Sequence, residues 1–60
     1  MIGTVDAVVD DTIGRMRDAG RNVAAAEAEL AVARSNRATG AYKIAYDHYR
    51  SAYRFAVKSF

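Results

Sequence analysis

The sequence predicts an all-α fold, a three-helix antiparallel bundle. Three observations carry this expectation. Apolar residues recur at helical spacing along most of the chain, proline is absent, and turns at Gly20 and Gly40 cut the 60 residues into segments of matched length. The expected helices run over about 4–19, 23–38 and 41–59.

The last segment has the strongest pattern. YKIAYDH and YRSAYRF are one heptad written twice. On a helix, Tyr42, Ala45, Tyr46, Tyr49, Ala52, Tyr53, Ala56 and Phe60 form one stripe, and Lys43, Asp47, Arg50, Arg54 and Lys58 lie opposite. The centre of so wide a stripe is buried and its margins half exposed. Tyr42, Tyr49 and Ala52 are therefore assigned to the core, and Tyr46, Tyr53 and Phe60 to its margin or to a contact surface. Such a helix needs something to lie against, and the first forty residues supply it.

In the first segment Val5, Val8, Val9, Thr12, Ile13 and Met16 keep helical spacing. Thr4 fits an N-cap, and Asp6, Asp10 and Asp11 fall in the first turns, where the helix dipole favours negative charge. Gly14 marks either a close helix contact or a tolerated break in propensity. Asp18-Ala19-Gly20-Arg21-Asn22 then offers two readings. Ile2, Val9, Met16, Val23 and Leu30 keep strict seven-residue spacing, which would suit one long helix paired with the last, dimerising into a four-helix bundle. That long helix would overhang its partner and leave Val5–Ile13 bare, at 1.5 Å of rise per residue. A stop at Gly20, with Asn22 opening the next helix, avoids the overhang and is preferred.

The second segment is rich in alanine, with Leu30 and Val32 its large apolar side chains after Val23. Its thin profile lets neighbours come close, so that tyrosines of the last helix reach over it. Glu27, Glu29, Arg34 and Arg37 are assigned to a solvated edge. Ser35–Gly40 is the clearest turn, and its shortness makes the flanking helices antiparallel neighbours.

Gly40, Tyr42, Ala45, Tyr49 and Ala52 stand in the spacing G-x-Y-x-x-A-x-x-x-Y-x-x-A. This resembles the turn and second helix of a tetratricopeptide repeat over roughly residues 30–56. Glu29 and Asn36 stand where that pattern has aromatic residues. The chain as a whole is similar to small three-helix modules of multidomain bacterial and archaeal proteins, which serve as spacers or docking units. The resemblance implies architecture and interaction and no catalytic residues.

Composition narrows the function. Sixty residues make at most one domain, with no room for a deep substrate pocket in one copy. The end on Phe60, without a polar tail, suggests a domain cut from a longer chain. Cysteine is absent, so there is neither a disulfide framework nor a thiolate metal site, and the cytoplasm is the default compartment. The start MIGTVDAVVDD has no basic leader segment, and no apolar run approaches the ~20 residues of a membrane span. The net charge of +2 is unevenly placed. Asp6, Asp10, Asp11, Asp18, Glu27 and Glu29 outnumber Arg15, Arg17 and Arg21 in the first half. Arg34, Arg37, Lys43, Arg50, Arg54 and Lys58 face only Asp47 in the second. The halves should attract.

His48 is the sole histidine and has no partner at metal-ligand spacing. Ser35 or Ser51 with His48 and Asp47 forms no oriented triad. The isolated glycines make no phosphate loop. No enzyme activity, cofactor, metal or small-molecule substrate is expected. The expected role is a structural or protein–protein interaction module that contacts another domain or a second copy. Ile44, His48, Ser51 and Phe55, spaced i, i+4, i+7, i+11, form a ridge off the tyrosine stripe and are the candidate partner-binding residues. The alternative is a dimeric hairpin binding RNA or DNA through Lys43, Arg50, Arg54 and Lys58.

Overall fold

A computed structural model describes residues 2–58, which form α1 (Ile2–Asp18), α2 (Ala24–Ala38) and α3 (Tyr42–Val57), with no strand among the described residues. The helices are 17, 15 and 16 residues long, so each reaches the ends of its neighbours in an up-down-up arrangement. Phe60 lies outside the described residues.

Both stops are built the same way. Gly20 (φ 81°) and Gly40 (φ 84°) take the left-handed conformation that a glycine adopts without a Cβ clash. At the first stop the Gly20 N–H donates to Arg17 O (2.9 Å) and Arg21 N–H to Met16 O (3.0 Å). At the second, Gly40 N–H donates to Arg37 O (3.1 Å) and Ala41 N–H to Asn36 O (2.8 Å). These paired bonds satisfy the last carbonyls of each helix and turn the chain sharply. Asn22 stands just before the Val23 N-cap position of α2, its Oδ1 accepting the Ala24 N–H two residues on at 3.1 Å. The single long helix of the alternative reading, and the dimeric hairpin built on it, are thereby excluded.

The start of α1 differs from expectation. The helix begins at Ile2, so Thr4 is inside it rather than capping it, and no acid occupies its first turn. Asp6 consequently has another task, described below. No neighbouring backbone closes on Gly14, where a Cβ would meet only the tip of Arg17 at 3.8 Å. Gly14 is tolerated in the helix rather than required by a contact.

The core comprises Val9 and Ile13 of α1, Val23, Ala26, Leu30 and Ala33 around α2, and Ala45, Tyr49, Ala52 and Ala56 of α3. α2 and α3 are the most closely apposed pair. Alanines face each other across their seam, which lets the axes approach toward the short end of the 8–10 Å range. Leu30 and Tyr49 are the large buried side chains that these two helices contribute to the core. α1 lies mainly along α3 and touches α2 less.

Tyr42 is not core. It is 58% exposed, because it sits at the open end of the bundle beside Ile2 and Ala38, where the other two helices terminate. Val8 also stays exposed although α1 is packed, since it lines an open groove that α1 and α3 leave between them.

Candidate functional site

The most connected polar residue is Asp6. Its side chain is only 15% exposed and engages both other helices. Arg34 of α2 grips it with two parallel bonds, Nε to Oδ2 at 3.0 Å and Nη2 to Oδ1 at 2.9 Å. The Tyr49 hydroxyl of α3 donates to Oδ2. Arg37 Nη1 stands 3.7 Å from Oδ2, and Arg34 also reaches Asp10 at 3.5 Å. A fork-on-fork arginine–carboxylate pair fixes direction as well as distance. The Arg34 guanidinium holds the Asp6 carboxyl below its ordinary range, against the opposing effect of burial, and the Tyr49 hydroxyl adds to the lowering. In turn, burial raises the Tyr49 hydroxyl above its ordinary value, and the bond to Asp6 raises it further. Asp6 raises Arg34 likewise.

This hub accounts for much of the edge assigned to solvent. Arg34 and Arg37 point at Asp6, and Glu27 accepts a bond from Arg17 of α1 at 2.9 Å. Glu29 lies 3.4 Å from His48 Nδ1 on α3. The four charged residues of α2 thus bridge helices rather than merely face water. Every buried side-chain nitrogen or oxygen among the described residues has a hydrogen-bond partner. A depression bordered by Asp6, Arg34, Arg37 and Tyr42 sets two guanidinium groups around the one Asp6 carboxylate, with Asp10 also within reach of Arg34.

The ridge on α3 is present as spaced. Ile44 is 53% and Phe55 46% exposed, while His48 and Ser51 between them are half-buried. His48 is turned toward Glu29, so the ridge lies on the flank of α3 next to α2. Val32, one turn after Glu29 on the same face of α2, is 42% exposed. Because α2 and α3 are antiparallel, Val32 and Ile44 lie on the same side of the Glu29–His48 bridge. The back of the α2–α3 hairpin therefore presents Val32, Ile44 and Phe55 to solvent around one polar bridge.

Lys43, Arg50, Arg54 and Lys58 are all exposed and share the outward face of α3. The structure places Arg50 and Arg54 beside an open groove between α1 and α3, walled by Val5, Val8, Val9, Tyr53 and Val57. Helical spacing does not reveal this groove, because it does not say which of Val5, Val8 and Val9 α3 covers. Among the described residues no cluster of three or more His, Cys, Asp or Glu could hold a metal ion, and no helix is long and apolar enough to cross a membrane. Asp47 adjoins His48 in sequence, but the histidine's partner is Glu29.

Comparison with protein families, characterised proteins and solved structures finds no significant match to this chain.

Proposed function

We propose that this chain is a non-enzymatic structural and protein–protein interaction module, one small helical domain that docks through the back of its α2–α3 hairpin. The observation that carries this reading is the placement of Val32, Ile44 and Phe55, three large apolar side chains left exposed by a fold that seats α1 elsewhere, mainly along α3. An apolar centre with a polar edge is the usual anatomy of a docking patch, and Lys43, Asp47 and Lys58 supply the edge. The tetratricopeptide-like spacing supports the same reading, since hairpins of that kind work by stacking against neighbouring helices. The occupant is a helix of another domain or of a second copy, with its own apolar ridge.

The test is the double change Ile44→Glu with Phe55→Lys. The helical signal and melting curve should stay close to those of the parent, because both positions are exposed, while self-association or partner binding falls. Loss of the helical signal would place the ridge in the core and end this reading.

A further inference from the structure

The groove between α1 and α3 is a second surface, separate from the hairpin back. It encloses about 510 Å³ and is open to solvent along its length. Its walls, Val5, Val8 and Val9 against Tyr53 and Val57, are almost wholly apolar. Val8 at its lip is 52% exposed. The nearby Thr12 hydroxyl donates to Val8 O at 2.9 Å and so asks nothing of a ligand. Charge enters from one side only, through Arg50 and Arg54, one helical turn apart on α3.

Those two arginines differ from others in the chain. Arg15, Arg17, Arg34 and Arg37 each meet a carboxylate. Arg50 and Arg54 have no ion-pair partner among the described residues. A second copy is poorly equipped to provide one. Asp6, Asp10, Asp11, Glu27 and Glu29 are already engaged within the fold, which leaves Asp18 at the far end of α1 and Asp47 on the basic helix itself. The acid is best supplied by a different protein. An open apolar trough between two helices is the seat into which the side-chain ridge of another helix packs. Phosphates have no use for a valine-lined floor, which argues against a nucleic acid as the occupant.

We propose that this groove docks an amphipathic helix from another protein, with its apolar ridge against Val5, Val8, Tyr53 and Val57 and an acidic flank on Arg50 and Arg54. Two carboxylates at i, i+4 on the incoming helix match the spacing of the arginines. The one-sided charge fixes which way the helix lies, and rim charges of this kind chiefly set orientation and on-rate.

The experiment uses three probes. One is a helix-forming peptide with leucines at i, i+3, i+4 and i+7 and glutamates at i+1 and i+5 on one flank. The second is its twin with lysines replacing the glutamates, and the third a single-stranded DNA oligonucleotide. NMR shifts of the Val5, Val8 and Val57 methyls and the Tyr53 ring are followed. The glutamate peptide should shift these and leave Ile44 and Phe55 unmoved, and the lysine twin should bind more weakly. Arg50→Gln with Arg54→Gln should weaken binding roughly tenfold at unchanged helix content. Val8→Glu is a second variant that should abolish binding from the opposite wall. Equal binding of the two peptides, or indifference to the arginine changes, would overturn the proposal. So would shifts produced by the oligonucleotide and not the peptide, a dimer of the free chain with these resonances at its contact, or no response to any probe at millimolar concentration.

Discussion

The α2–α3 seam and the seat of α1 solve the same packing problem with opposite materials. The seam is made of small residues, Ala26 and Ala33 against Ala45, Ala52 and Ala56, closed by Leu30 and Tyr49. Its strength is close approach, and almost nothing polar is needed. α1 brings large side chains, Val9 and Ile13 with Ile2, Val5 and Met16 at the margin, but they bury incompletely. What ties α1 to α2 is charge: Asp6 and Asp10 to Arg34, Asp6 to Arg37, and Arg17 to Glu27. A tight seam of alanines leaves no apolar surface to spare between the paired helices. A helix laid on by a polar clamp leaves a groove beside it. The α1–α3 groove follows from that division.

The change expected to break both regions at once is Tyr49→Ala. Tyr49 fills the seam and its hydroxyl reaches the α1 clamp, so the variant should lose about 3–5 kcal/mol. Leu30→Ala should lose about 2–5 kcal/mol. A small domain holds little more than this in total, so both variants should be largely unfolded at 37 °C, as read by far-UV circular dichroism. Melting curves that overlay the parent's would show that the seam is misplaced.

Overpacking sharpens the contrast. Ala52→Leu forces extra volume into the closely packed seam and should cost about 1–3 kcal/mol. Ala7→Leu on the exposed side of α1 should stay within about 0.5 kcal/mol of the parent. Chemical denaturation of the pair measures the difference directly. Equal penalties would mean the alanines are not there for close approach.

The clamp should also respond to pH, and the seam should not. The Asp6 carboxyl is lowered in the folded chain, so its contribution is present above the unfolded value of about 3.9 and is lost as pH falls through the folded value. The Tyr49 hydroxyl is raised, so its contribution is present below about 10 and is lost as pH rises through the folded value. Melting temperature against pH should fall at both extremes. In Asp6→Asn the acid-side fall should flatten. The smallest effect belongs to Arg17→Gln, whose partner Glu27 is an exposed ion pair worth less than about 1 kcal/mol.

Local features of this fold could be read from the chain, and distant ones could not. Gly20 and Gly40 announced the two turns, because each sits where a helix must end with a positive φ. The buried Tyr49 and Ala52 followed from periodicity alone. Tyr42 shares that periodicity and is exposed, since spacing says which face a residue is on and not where the neighbouring helix stops. The Asp6 hub joins residues 28 and 43 positions apart, and only the acidic first half and basic second half hinted at it. The groove was hidden for a related reason. Val5 and Val8 belong to the same apolar pattern as Val9, and only the crossing of α1 over α3 decides which of them is covered.

The most direct test of the clamp is a double-mutant cycle on Asp6→Asn and Tyr49→Phe, measured by urea denaturation. If a single carboxylate seats α1 on the hairpin through both neighbours, the two changes share one interaction, and the cycle should return a coupling of about 1–3 kcal/mol. Additivity within about 0.5 kcal/mol would contradict it and show that the Tyr49 hydroxyl does not couple to the Asp6 carboxylate.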